Sequence, residues 1–211
     1  MKLLLTSDGL TSNKLVDSFK KLLVKPLIDV KVLMISSGPE DKKDIDRKNK
    51  ILGYIRNFEK PLIKVGVPEN NFIVLLMSHP EKVNFNDFDV VFFCGGNTYL
   101  YLSLIKKLGL DKQIKDFVNH EGLYVGISAG SILTGPSIES AGIGKNRDVN
   151  GVGLRDLTGL GLVKFTILPH FNLEDRTEVL SEIKEAKLGY VCHVLNDGEA
   201  ILVKGNTIKK V

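Results

Sequence analysis

The chain has no tryptophan, three methionines and only two cysteines among its 211 residues. Cys94 and Cys192 are far apart and each sits in an apolar stretch. No CxxC redox pair or zinc-ligand spacing can therefore be built, no metal site is expected, and a reducing compartment is the natural setting. Long apolar runs are also missing: no segment reaches the roughly 18 to 20 residues that a membrane-spanning helix needs. The opening Met1-Lys2-Leu3-Leu4-Leu5-Thr6 is cut off by Ser7-Asp8-Gly9 before it attains the length of a signal-peptide apolar region, so it reads as a first strand and the expected location is cytoplasmic. Charge of one sign is not concentrated anywhere. The net charge is +4, but Lys20-Lys21, Lys42-Lys43, Lys106-Lys107 and Lys209-Lys210 are scattered, which is the pattern of a solvated face. Neither a nucleic-acid nor a membrane partner is expected.

What is present is ordinary globular material, 43% apolar and 26% charged, enough for one domain spanning residues 1–211. Short apolar runs recur at Lys2 to Thr6, Val30 to Ile35, Phe72 to Met77, Val90 to Cys94, Leu123 to Ile127 and Thr166 to Leu168, with helical patterns between them. That alternation predicts an α/β fold whose mostly parallel sheet is buried on both faces. Ser12 to Val24 places Leu15, Val16, Phe19, Leu22 and Leu23 on one helical face, with Ser12 or Asn13 as cap. Asp41 to Ile63 is a longer amphipathic segment that Pro61 should end early, and Thr98 to Leu108 and Asp111 to Asn119 supply two more helices. Residues 135–161 hold seven glycines with little periodicity and read as a long loop over the sheet. In the tail, Val191 to Val194, Glu199 to Val203 and Thr207 to Val211 are separated by Asn196-Asp197-Gly198 and Lys204-Gly205-Asn206, which predicts antiparallel hairpins at a sheet edge.

The strongest chemical signal is the strand Leu123-Tyr124-Val125 running into Gly126-Ile127-Ser128-Ala129-Gly130 and then into Ser131-Ile132-Leu133. G-x-S-x-G at a strand-to-helix junction is a nucleophile elbow, in which small neighbours let the chain turn sharply and expose the serine hydroxyl. The pentapeptide alone also fits a tight structural turn; the strand before and the helix after favour Ser128 as a nucleophile. The amide of Ala129 would then point to where an oxyanion forms. A glycine pair at the end of another strand, Phe92-Phe93-Cys94-Gly95-Gly96-Asn97-Thr98, suits a second oxyanion donor, and equally a phosphate-binding turn. Of the four histidines, His79, His120 and His193 lie in a loop, at a polar helix end and in an edge strand. His170, in Leu168-Pro169-His170-Phe171, follows an apolar strand and so falls at the carboxyl edge of the sheet, where open α/β folds assemble their sites.

With Cys94-Gly95-Gly96-Asn97-Thr98, Gly126-Ile127-Ser128-Ala129-Gly130 and Pro169-His170-Phe171 in this order, the sequence resembles the peptidase E (aspartyl dipeptidase) family. The resemblance implies a three-layer α/β/α, flavodoxin-like fold related to class I glutamine amidotransferases. It implies hydrolysis of small peptides, dipeptides with amino-terminal aspartate above all, by a serine peptidase that needs no metal or cofactor. Ser128 would be the nucleophile, His170 the base, Gly96 and Ala129 the oxyanion hole, and Asn97 and Thr98 would line the substrate site. An acid is commonly found about fifteen residues after the nucleophile in this family, but Ile143 stands there, followed by Gly144. Counting back from the histidine gives Asp148 as the third catalytic residue, with Glu139, Asn172 or a bare Ser128-His170 dyad as the other readings. Arg176, in Glu174-Asp175-Arg176-Thr177, matches the arginine expected to hold the substrate carboxylate. A small peptide is the expected partner, and a homodimer is compatible with the pattern. A cyanophycinase-like hydrolase shares the elbow, and the absence of an acid at Ile143 leaves room for a non-catalytic binding or sensor module on the same scaffold.

Overall fold

The structure is a computed structural model that describes residues 1–39 and 44–211. Five strands, β1 (Lys2–Thr6), β2 (Val32–Ser36), β3 (Phe72–Leu76), β4 (Val90–Phe93) and β5 (Leu123–Ile127), form the parallel part of a seven-stranded sheet. The sheet is completed by β8 (Ala200–Lys204) and β9 (Thr207–Lys210), in the order β3-β2-β4-β5-β1-β8-β9. From β3 to β5 this is the 2-1-3-4 order of a flavodoxin-like doubly wound sheet, and the amino-terminal strand β1 occupies the next place. The C-terminal pair β8 and β9 is the antiparallel hairpin expected at the edge, and β8 also runs antiparallel to β1.

Alternation along the strands divides the core in two. Leu3, Leu5, Leu33, Ile35, Val91, Phe93 and Tyr124 face one side, where they meet Tyr101, Leu102 and Ile105 of α3 (Thr98–Leu108) and Ile114, Phe117 and Val118 of α4 (Leu110–Asn119). Leu4, Val32, Met34, Val90, Phe92, Leu123 and Val125 face the other, against Leu15, Val16, Phe19 and Leu22 of α1 (Asn13–Leu22) and Ile55 and Leu62 of α2 (Ile45–Lys64). Three layers result because each face of the sheet is apolar and must be covered. Ser12 caps α1 as expected, accepting the Leu15 amide. The second helix continues through Pro61 instead of stopping before it. Pro61 lies in the last turn, where its missing N–H deprives only Asn57 of a donor; Asn57 is exposed, and buried Leu62 anchors the turn beyond. The predicted start of this helix at Asp41 lies outside the described residues.

Two expectations about pairing are corrected. Strand β6 (Phe165–Leu168) does not join the large sheet, and β7 (Val191–Val194) is not part of an antiparallel edge: the two pair with each other, in parallel, as a separate two-stranded sheet. Both edges of β1 are already taken by β5 and β8, so the large sheet offers β6 no place beside it. Asn196-Asp197-Gly198 is therefore a connection between two sheets, not the turn of a hairpin. The glycine-rich stretch 135–161 contains one short 3-10 turn, Glu139–Gly142, and a single antiparallel bridge between Ser137 and Thr158.

Candidate active site

Ser128 stands between the end of β5 and the short helix α5 (Ala129–Ile132), at φ 50° and ψ −110°. For a residue with a side chain this backbone is costly, by about 1 to 3 kcal/mol, and survives only where its surroundings enforce it. Close approach on both sides does so. A Cβ on Gly126 would lie 2.6 Å from the Gly130 carbonyl oxygen, and one on Gly130 would lie 2.6 Å from the Phe93 carbonyl oxygen. Hydrogen bonds then clamp the elbow to β1: the Ser128 amide donates to the Thr6 carbonyl (3.1 Å), and the Ser131 hydroxyl is shared between the carbonyls of Thr6 (2.8 Å) and Gly126 (2.9 Å). The buried Tyr124 hydroxyl donates to the Gly130 carbonyl at 2.6 Å.

His170 follows β6 and Pro169 and is itself left-handed, at φ 54°. Its Nε2 lies 2.9 Å from Ser128 Oγ, and its Nδ1 lies 2.8 Å from Asp197 Oδ1. A carboxylate can only accept, so the proton belongs on Nδ1, which leaves the Nε2 lone pair facing the serine hydroxyl. Asp197 reaches this position because the strand pairing carries it there. The Leu195 amide donates to Leu168 (2.9 Å) and the Phe171 amide donates to Leu195 (2.9 Å), which fastens the histidine segment to the end of β7. The loop itself is held by Asp8, which accepts from the Gly198 amide at 2.8 Å, and by Glu199, which accepts from the Asn196 amide at 2.8 Å.

Asp148 does not pair with the histidine. Its Oδ2 accepts from both the amide (2.8 Å) and the hydroxyl (2.6 Å) of Thr98, at the start of α3. Asn97 joins the same clamp: its Oδ1 caps the helix by accepting from Leu100 (3.0 Å), and its Nδ2 donates to the Val149 carbonyl (2.9 Å). The acid proposed as the third catalytic residue and the two residues expected to touch substrate thus hold the glycine-rich loop against the helix. The reason is the four unpaired amides of a helix start, which attract an anionic or amide oxygen. Glu139 bonds Ser137, and Asn172 caps Glu174; neither is paired with His170.

Gly95 and Gly96 run beside the elbow, since a Cβ on Gly95 would lie 3.8 Å from Ser128 Cβ. At φ 156°, with the Tyr101 ring 2.9 Å from where a Cβ would be, Gly96 has no room for a side chain. Ala129 is the first residue of α5, so its amide has no acceptor within the helix. The concavity at Ser128 and His170 is also lined by Lys145, Asp148 and Asp175, over an apolar floor that includes Ile143 and Phe171. Arg176 is exposed at the start of α6 (Arg176–Ala186) and does not line it. Among the described residues the lysine or arginine that does is Lys145, hydrogen-bonded to Asp175, a bond that raises the lysine pKa above its ordinary value. Among the described residues no cluster of three or more His, Cys, Asp or Glu is arranged to hold a metal, and no helix is long and apolar enough to cross a membrane.

What sequence reasoning missed is Asp197. The triplet that contains it was conspicuous, but N-D-G between apolar strands signals a turn, and nothing in its spacing marks it as the partner of a histidine 27 residues away.

Comparison with known proteins agrees with this architecture. The sequence profile of peptidase family S51 matches residues 46–211. An uncharacterized peptidase of Listeria monocytogenes is 31% identical over 159 residues, which cover 74% of this chain and 76% of that protein. A peptidase E of Shewanella denitrificans is 28% identical over 142 residues, 64% of this chain and 58% of its own length. Among solved structures, a candidate peptidase E from Listeria monocytogenes superposes with a TM-score of 0.77 at 24% identity, over 100% of this chain and 97% of the other, and so shares the fold. A family profile spanning the elbow, the histidine and the acid, with a relative matched over about three quarters of both chains, places the protein in its family: it belongs to peptidase family S51.

Proposed function

We propose that this peptidase is a serine exopeptidase that works through an acyl-enzyme, with Ser128 as nucleophile, His170 as general base and then acid, and Asp197 as the group that orients the imidazole. The observation that carries the reading is the continuous hydrogen-bonded chain from Ser128 Oγ to His170 (2.9 Å) and on to Asp197 (2.8 Å), seated on a strained elbow. In acylation Ser128 Oγ bonds to the peptide carbonyl carbon while its proton passes to His170 Nε2. The imidazolium is stabilised by the Asp197 carboxylate. The negative charge on the former carbonyl oxygen is met by the amides of Ala129 and Gly96. When the C–N bond breaks, His170 returns the proton to the leaving amine, and water repeats the sequence to release the acyl group.

For substrate, dipeptides with amino-terminal aspartate remain the preferred class, from the likeness to peptidase E. Lys145 takes the part expected of Arg176, because among the described residues it is the lysine or arginine that lines the pocket. Asp175, its present partner, is a ready acceptor for the substrate's free ammonium once the substrate carboxylate takes the lysine. The alternative of a non-catalytic module was motivated by a missing acid, and Asp197 fills that gap. Hydrolysis of an Asp-X dipeptide panel by the wild type and by Ser128→Ala tests the reading. The variant should lose about 10⁴-fold or more in kcat. Undiminished turnover would remove Ser128 from the mechanism, and equal rates on Asp-X and Leu-X peptides would remove the aspartate preference.

A further inference from the structure

One polar group beside the site is used by none of the steps above. Ser7, the residue after β1, is fully buried. Its amide continues the sheet pairing by donating to the Glu199 carbonyl (3.1 Å), and its side chain reaches the other way. The hydroxyl oxygen accepts from the backbone amide of His170 at 2.8 Å. The hydroxyl proton has two acceptors in range, Asp197 Oδ1 at 2.8 Å and the Leu195 carbonyl at 3.5 Å. A hydroxyl has one proton, and the shorter, charge-assisted bond to the carboxylate takes it.

We propose that Ser7 is a positioning residue of the catalytic site: one buried hydroxyl ties the backbone of the base, His170, to the carboxylate that orients it, Asp197. The inference rests on the reading of Ser128, His170 and Asp197 as a triad. Two features of the structure make such a tie necessary. His170 sits at φ 54°, a conformation that a side-chain-bearing residue holds only when its neighbours impose it. Asp197 is carried by a loop, with its side chain 59% exposed, so its oxygen would otherwise be free to exchange the imidazole for water. Ser7 answers both from a rigid place, since β1 is paired on both edges and its interior leucines are buried. The hydroxyl accepts from one partner and donates to the other through a single oxygen, which an alanine cannot do. It also shares Oδ1 with His170 Nδ1, so the carboxylate oxygen is held by two donors at once.

The test compares Ser7→Ala, Ser7→Thr and Asp197→Asn with the wild type by three readouts: kcat and KM on the best dipeptide, the rate of Ser128 labelling by a fluorophosphonate, and the NMR signal of the His170 Nδ1 proton, which reports its hydrogen bond to Asp197. Ser7→Ala should lower kcat and the labelling rate by about tenfold with KM little changed, because one charge-assisted bond is lost and substrate contacts are kept. Ser7→Thr keeps the hydroxyl and should recover most of the rate. The Nδ1 proton signal separates positioning from a general loss of structure. Without the Ser7 hydroxyl the Asp197 carboxylate is free to turn from the imidazole to water, so the low-field Nδ1 proton signal of His170 should weaken or move to higher field in Ser7→Ala, do so further in Asp197→Asn, and return in Ser7→Thr. A His170 Nδ1 proton signal in Ser7→Ala unchanged from the wild type, or a labelling rate equal to wild type, overturns the inference. A wild type that neither cleaves peptides nor reacts with the probe defeats the peptidase reading instead, and the NMR signal still decides the role of Ser7.

Discussion

The elbow at Gly126 to Gly130 and the loop at Asn196 to Gly198 each deliver a group to the same hydrogen-bonded chain, yet they are built in different ways. The elbow is nearly all buried, and its shape follows from backbone meeting backbone where the two glycines have no side chains. The loop is half-buried except at the exposed Asp197, and its shape follows from side chains around it: Asp8 holding Gly198, Glu199 holding Asn196, Ser7 holding Asp197. Steric enforcement is local and tolerates no substitution. Enforcement by hydrogen bonds is distributed, so that it weakens by degrees.

That contrast can be broken at several points. Gly130→Ala should have the largest effect, since its methyl group must enter the space of the Phe93 carbonyl. A loss of about 3 kcal/mol or more of folding stability, read from urea unfolding, is expected, and a fully stable variant would show the elbow to be more pliable than its contacts imply. Next comes Asp197→Asn, which should reduce kcat/KM by about 10² to 10⁴-fold while leaving the unfolding midpoint almost unmoved, because the side chain is mostly solvated. Asp8→Ala should cost less, about tenfold in kcat, since Glu199 and Ser7 still hold the loop. Lys145→Met, at the pocket rim, should raise KM for Asp-X peptides by about tenfold and leave Leu-X peptides unaffected. The smallest expected effect concerns acid. Burial, with Lys210 adding to it, holds the pKa of His193 on β7 below the usual imidazole value. Protonation is then more favourable in the unfolded chain, so stability should fall as pH drops below about 6.5 and level off once His193 is protonated in the folded state. His193→Gln should flatten that slope; an unchanged slope would assign it to other groups.

Much of the fold was legible because it is written in short-range patterns. The five parallel strands announce themselves as apolar runs buried on both faces, and α1 and α3 carry caps and apolar faces at helical spacing. Ser128 and His170 were legible for a related reason, each following directly from its place at the end of a strand. Pairing between strands far apart in the chain was not legible, in contrast to the β8–β9 hairpin. Thr166 to Leu168 looks like any other buried strand, and periodicity says nothing of whether its neighbour will be β1 or β7. The same blindness affected the acid: Asp148 was attractive by its distance along the chain, but the unpaired amides at the start of α3 compete for it, and Thr98 holds it.

By itself, then, the sequence determined the alternation of strands and helices and the elbow that presents Ser128, because glycine sterics and apolar spacing act within a few residues. Tertiary structure alone decided that Asp197 rather than Asp148 meets His170, and that Ser7 stands between them. Those contacts join residues 27 and 163 positions from the histidine. They exist only because β6 pairs with β7 and β1 lies between β5 and β8, and such long-range pairings are set by the packing of the whole sheet.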